Sequence, residues 1–154
     1  MKIFLPFLLS FFFCASVSAA APTFLDSDKN YILYADLGAH ACGLYVDRHT
    51  CGIAEQSPSY LIILIDDVQV PDAADGSTRI TNRFSHKFKF DLIHHSAFAY
   101  EPFSDSWTRL DPYITNPEDD EFTFDVTIAE IAFFLATNQK FFASFDDDFY
   151  SILL

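Results

Sequence analysis

The sequence predicts an all-β fold, an antiparallel β-sandwich in a single domain, from three observations. Residues 60–65 form an unbroken apolar run that is rich in β-branched side chains and as long as a typical strand. Two further segments alternate between apolar and polar residues, as half-buried strands do. Turns that contain proline and aspartate separate these segments at short intervals, which favours antiparallel pairing. A ligand-holding barrel is the nearest alternative fold.

The first twenty residues, 1–20, predict a secretory signal peptide. A lysine precedes an apolar block at residues 3–15, and small residues follow it. We expect cleavage between Ala19 and Pro22. A membrane anchor is the alternative, but the block is shorter than the roughly 20 residues that a spanning helix needs. Residues 21–154 are then one domain that acts in the extracellular region or at the cell surface.

The charge of the chain narrows the classes of partner. The chain has twenty-two aspartates and glutamates and nine lysines and arginines, and its formal net charge is −13. Nucleic acids and anionic membranes carry the same sign, so neither is an expected partner. The acidic surface suits basic partners or divalent cations, or simply keeps an aromatic-rich chain soluble.

Removal of the leader would leave two cysteines, Cys42 and Cys51. In an oxidising compartment such a pair is expected to form a disulfide. A loop this short would stabilise the fold by about 2 to 3 kcal/mol. Two reduced, buried thiols are the alternative.

The apolar run at residues 60–65 has no polar alternation, so we predict a central strand that is buried on both sides. Residues 66–78 are rich in turn formers and predict a long exposed loop. The alternating segments are residues 85–92, with Phe88, Phe90 and Leu92 pointing inward, and residues 121–128. Residues 129–138 predict either a short helix or a continuing strand. Further strands are expected at residues 31–37 and 107–110, and residues 141–145 and 149–154 predict one or two closing strands. Residues 42–51 predict a strand that runs into a turn, with the disulfide joining the two ends.

Several short motifs occur in a characteristic order. They are Cys51-Gly52, Pro58, the apolar run with Asp66-Asp67 at its end, Pro71-Asp72 with Asp75, Phe88-Lys89-Phe90, Glu101-Pro102-Phe103, and Phe145-Asp146 before Ile152-Leu153. In this order they resemble the transthyretin-like family of secreted nematode proteins. The resemblance implies a transthyretin- or immunoglobulin-like sandwich of about seven to eight strands.

The chain departs from that family in two respects. The glycine expected shortly before the first cysteine of the motif is missing, since Asp47 and Arg48 stand there, and the later cysteines are absent. The disulfide scheme of the family is therefore not carried over. The related hydrolases end in Tyr-Arg-Gly-Ser, whereas this chain ends in Tyr-Ser-Ile-Leu-Leu, so the resemblance implies no hydrolase activity.

Two groups of side chains are candidates for metal binding. His86, His94 and His95 lie near Asp91, but adjacent residues of a strand point to opposite faces, which favours separate surface histidines over a zinc site. The second group is a candidate acidic loop patch formed by Asp66, Asp67, Asp72 and Asp75. Their oxygens are of the kind that calcium prefers, but their spacing does not match a calcium loop. We therefore predict no metal and no cofactor.

The sequence contains no nucleophile elbow and no phosphate-binding glycine loop. We therefore predict a secreted, non-catalytic binding protein for an extracellular protein or a small apolar ligand. Two alternatives stay open: a small secreted hydrolase with His86 or His94 as base, and a secreted effector directed at a host.

Overall fold

The computed structural model describes residues 20–38, 42–112 and 120–154, with the backbone alone at residues 120–123. Six strands form one antiparallel sheet in chain order, and each strand pairs with its sequence neighbour. They are β1 (Tyr31–Leu37), β2 (Cys42–Gln56), β3 (Tyr60–Val70), β4 (Asn82–Asp91), β5 (Ser96–Glu101) and β6 (Ser106–Leu110). Two helices follow, α1 (Asp120–Thr137) and α2 (Asp147–Ile152). Of the predicted all-β sandwich, the mostly β and antiparallel character is confirmed. Residues 1–19 of the predicted signal peptide lie outside the described residues.

One face of the sheet, the core face, packs against α1. Ile63, Phe88 and Phe90 of the sheet and Ile128 and Ile131 of the helix belong to the same buried cluster. In the described part of the chain the layer opposite the sheet is therefore a helix, and the strands number six rather than seven or eight. Burying one apolar face of a sheet under a helix completes a core as well as a second sheet would.

The apolar run at residues 60–65 is a strand, as predicted, and it lies inside the sheet as the first half of β3. Its two sides differ, because successive side chains of a strand point to opposite faces. Ile63 and Ile65 are almost inaccessible in the core, whereas Leu64 is 43 % exposed on the opposite, outer face. The prediction that the run is buried on both sides is therefore wrong, and the sheet has one covered face and one largely open face.

The alternation at residues 85–92 is confirmed as β4. Phe88 and Phe90 are fully buried on the core face, while Lys87 and Lys89 lie on the outer face. The strand ends at Asp91, however, and Leu92 stands 41 % exposed in the following turn instead of pointing inward.

Residues 121–128, predicted as a half-buried strand, belong to helix α1. The period-two pattern there is short, and the chain continues directly into residues 128–134, which are all buried. The sequence of a helix that is buried on nearly every side is a continuous apolar run and lacks the polar stripe of an amphipathic helix. The helix predicted near residues 129–138 is thus the second half of a longer element.

The C-terminal residues do not form the strands predicted at 141–145 and 149–154. Residues 138–146 are irregular and lead into α2, whose first turn is capped by the Asp146 carboxylate accepting from the Phe149 N–H at 2.8 Å. The acidic residues that open α2 also suit the positive end of the helix dipole.

A buried carboxylate holds this C-terminal segment against α1. Glu130 is fully buried, and its oxygens accept hydrogen bonds from the Phe141 N–H at 3.2 Å, the Phe142 N–H at 2.5 Å and the Tyr150 hydroxyl. Three donors satisfy the carboxyl oxygens, which would otherwise be costly to bury.

The N-terminal segment covers one end of the outer face. Ala21 and Leu25 pack there with Tyr45, Val68 and Val70 in a second, smaller buried cluster. Because β3 continues to Val70, the loop predicted from residue 66 begins later, and residues 66–70 are strand.

Both cysteines lie in β2, and both are free thiols. Cys42 begins the strand and Cys51 follows nine residues later, a separation on the order of 25 to 30 Å along an extended chain. A disulfide needs Cα atoms within about 7 Å. The predicted Cys42–Cys51 bond is therefore not formed in this structure, and forming it would require β2 to break.

Candidate functional site

A cleft lies along β4, β5 and β6 and extends to Asp125 of α1. Its volume is about 590 Å³. Aromatic and ionisable residues line it together: Arg83, Phe84, His86, Lys87, Phe88, Tyr100, Glu101, Phe103 and Asp125. The even-numbered residues of β4 share the core face with Phe88 and Phe90, whereas Arg83 and Lys87 alternate to the outer face.

His86 lies at the inner end of the cleft, held by two carboxylates. Its Nε2 is 2.9 Å from Oδ1 of Asp67, and its Nδ1 is 3.6 Å from Oδ1 of Asp125. The imidazole also stacks on Phe88, with ring centroids 5.8 Å apart and planes 2° from parallel. These three contacts fix the orientation of the ring.

The environment of His86 keeps its imidazole protonated. Burial alone would lower the pKa of His86, but the interactions with Asp125 and Asp67 outweigh it and raise the pKa to about 9. At neutral pH the group is an imidazolium that donates a hydrogen bond to Asp67 and forms an ion pair with Asp125.

Asp67 is the most buried member of this group, only 3 % exposed. It faces the core because it alternates in register with Ile63 and Ile65. Its second oxygen accepts from the Tyr34 hydroxyl at 2.7 Å, so two donors satisfy the carboxylate. Burial and the charge of Asp67 both raise the pKa of Tyr34, which stays neutral at physiological pH.

The carboxylates of the cleft have few cationic partners. Among the described ion pairs Asp125 shares His86 with Asp67, and Glu101 has no partner. Of the two other basic residues that line the cleft, Arg83 pairs with Asp47 and Asp66, and the Lys87 ammonium lies over the Tyr100 ring. Phe84 is 49 % exposed and the Phe103 side chain is fully exposed, so aromatic surface lies beside this negative charge. A carboxylate next to aromatic faces is suited to a cation with an apolar body.

The four aspartates of the predicted acidic patch are not together. Asp66 and Asp67 are neighbours in β3 and point to opposite faces. Asp66 lies on the outer face, where it accepts from the Ser85 hydroxyl at 2.7 Å and pairs with Arg83 at 3.3 Å. Asp72 and Asp75 lie beyond the end of β3, at a 3₁₀ turn.

The candidate histidines are also separate. His94 is in the turn after β4, where its Nδ1 lies 2.8 Å from Asp91, and the neighbouring His95 ring stacks on Phe141 at 4.4 Å. Within residues 20–38, 42–112 and 124–154, no three His, Cys, Asp or Glu side chains are grouped so that they could hold a metal ion. In the same part of the chain no helix combines the length and the apolar character needed to cross a membrane.

Sequence reasoning named His86 and Asp67 but missed Tyr34, Glu101 and Asp125 as their neighbours. The pairing depends on the register of β3 against β4 and on the helix over residue 125, which was predicted as a strand. The sequence contains one indication of this pairing. Asp125 lies between the apolar residues Phe124 and Val126, and a polar group at such a position usually has a hydrogen-bond partner.

None of the family models, curated proteins or solved structures compared with the chain matches it significantly. The transthyretin-like resemblance stays a prediction.

Proposed function

We propose that the protein is a non-catalytic extracellular binding protein whose cleft holds a small apolar ligand with a cationic group. The observation that carries this proposal is the cleft itself, where exposed Phe84 and Phe103 lie beside Glu101, which has no described ion-pair partner, and Asp125, which shares His86 with Asp67. An organic ammonium would pair with the carboxylates while its apolar body covers the rings.

The protonation of His86 favours binding over hydrolysis. A general base must be unprotonated at the working pH, but the pKa of His86 is about 9 and both ring nitrogens face carboxylates. His94, the other base considered, is exposed in a turn beside Asp91. Neither histidine has the environment that a small hydrolase needs.

The extracellular setting rests on the predicted signal peptide at residues 1–20 and on the resemblance to transthyretin-like secreted proteins. A transthyretin-like sandwich belongs to the same proposal, and the six-stranded antiparallel sheet supports it. A secreted effector directed at a host is the same kind of binding protein, and it would differ only in taking its ligand from the host. The acidic, aromatic-rich composition supports the same class of protein.

Calorimetric titration with phenethylammonium and longer arylalkylammonium ions tests the proposal. We expect these cations to bind, while the matched alcohols and carboxylates bind at least about fivefold more weakly, because the charge contributes about 1 kcal/mol at a half-exposed site. Glu101→Gln and Asp125→Asn should each weaken binding by a similar factor. Asp148→Asn, an exposed change in α2, is the charge-matched control.

Three results would argue against the proposal. They are an absence of heat with every ammonium ion, equal binding of the carboxylate analogues, and unchanged affinity in both cleft variants.

A further inference from the structure

The outer face of β4, β5 and β6 carries cations and aromatic rings in two rows across the strands. In one row Lys89 lies opposite Phe98, which lies opposite Arg109. In the other row Lys87 reaches the Tyr100 ring, and Tyr100 pairs with Trp107. We call this surface the basic face; its residues are Lys87, Lys89, Phe98, Tyr100, Trp107 and Arg109.

The rings hold the lysine side chains in place on this face. The Nζ of Lys87 lies 4.9 Å from the centroid of the Tyr100 ring and 5.5 Å from that of Trp107. The Nζ of Lys89 lies 5.1 Å from the centroid of Tyr60. Cation–π contacts of this kind restrain an ammonium group but leave its charge uncompensated.

The cations of the basic face take part in none of the ion pairs found within the described residues. Among the described residues, the ion pairs involve Arg83, His86, His94 and Lys140, and none of them includes Lys87, Lys89 or Arg109. Three of the nine lysines and arginines of a chain with net charge −13 thus lie together, outside every ion pair of the described part of the chain. Trp107 at 36 % and Leu64 at 43 % exposure place apolar surface beside them.

We propose that the basic face binds an extended acidic segment of a partner protein. Lys87 and Lys89 are two residues apart in a strand, which separates them by about 6.7 Å along its axis, and carboxylates at alternate positions of an extended peptide have the same spacing. Arg109 lies two strands away from Lys89, about 9.6 Å across the sheet, within reach of a third carboxylate. Apolar side chains of the segment would contact Trp107 and Leu64.

The charge of the remaining surface favours a short acidic segment over a polyanion. A nucleic acid or a sulfated polysaccharide extends far past the basic face and would meet the acidic remainder of the protein. A segment with a few carboxylates stays on the basic face, since exposed charges more than about 8 Å apart are largely screened at physiological salt. This partner class is distinct from the cationic ligand proposed for the cleft.

The chain has a single tryptophan, so the emission of Trp107 reports directly on this surface. The probe is a short synthetic peptide of alternating glutamate and valine, titrated at low and at high salt. We expect a change in Trp107 emission with an affinity that falls as salt rises. The double variant Lys87→Gln and Lys89→Gln should weaken binding about tenfold or more, which corresponds to about 1.4 kcal/mol.

The matched control replaces Lys29 and Arg79 by glutamine, two exposed residues outside the basic face, and changes the net charge by the same amount. Equal loss of affinity in both double variants would overturn the proposal, because it would show an effect of net charge alone. So would equal binding of a lysine–valine peptide. Tighter binding of heparin or of a thymidine oligonucleotide to the same lysines would instead assign the face to a polyanion.

Discussion

At the residue scale, the site depends on which of two adjacent aspartates faces the core. Asp66 and Asp67 look equivalent in the sequence, and only the register decides between them. Asp67 shares the face of Ile63 and Ile65, so it is buried and requires donors, which Tyr34 and His86 provide. The alternation within β3 is visible in the sequence, but the partners come from other strands and depend on pairing that the sequence does not show.

His86 should make the stability of the protein depend on pH. Its pKa in the folded state is about 9, above the ordinary 6.5, so its stabilising effect is complete below about pH 6.5 and is lost as the pH rises through 9. The full effect is about 3 kcal/mol, since each pKa unit is worth about 1.4 kcal/mol. We expect the free energy of unfolding from urea titrations to fall by up to that amount across this interval.

His86→Gln provides the comparison, because it keeps a polar side chain at the site but does not titrate. The variant should be less stable than the natural protein near pH 6 and should lose little further stability up to pH 9. The same loss in both proteins would show that other groups cause the pH dependence.

At the scale of elements, the sequence predicts strands well where the pattern is long and fails near the C terminus. The buried phenylalanines of β4 alternate over a full strand, which no helix would do. Phe124, Val126 and Ile128 also alternate with polar residues, but three alternating positions do not distinguish a strand from a helix. The residues that follow, 128–134, are all buried, as in a helix covered on nearly every side. For α2 the signal was present, since Asp146 to Asp148 supply an N-cap and an acidic first turn.

Truncation of neighbouring residues in β3 tests whether the sheet has one covered face. Ile63→Ala should lower the free energy of unfolding by about 2 to 5 kcal/mol, because it leaves a cavity under α1. Leu64→Ala removes a side chain that is 43 % exposed on the outer face and should cost less than about 1 kcal/mol. Both values come from chemical denaturation of the two single variants.

The two variants are each other's control, since they remove side chains of equal size one position apart. A cost for Leu64→Ala as large as that for Ile63→Ala would mean that the outer face is covered in solution. That is the result which a two-sheet sandwich would give.

At the scale of the whole molecule, the fold separates two kinds of surface. The core face ends in a cleft that contains the carboxylates of Glu101 and Asp125, and the opposite face of the same strands carries Lys87, Lys89 and Arg109. Composition alone predicted an acidic protein that would avoid anionic partners. It could not reveal the basic face, because strand alternation sorts the charges of β4 and β6 only once the sheet is formed. An apolar strand likewise fits a sheet covered by a helix as well as a sandwich.

The start of the folded domain yields a prediction about the processing of the leader. Ala21 is 7 % exposed, and its backbone N–H donates to Oδ2 of Asp36 at 2.9 Å. Cleavage between Ala20 and Ala21, within the predicted interval, would turn this donor into an ammonium group and the hydrogen bond into an ion pair. We expect a chain that begins at Ala21 to be more stable than one that begins at Ala20, by about 0.5 to 1 kcal/mol at low salt.

Urea denaturation of both chains measures this difference in the free energy of unfolding, which should shrink at high salt. The same comparison in the Asp36→Asn variant should show no difference. A difference that persists in Asp36→Asn would show that the ion pair is not its cause.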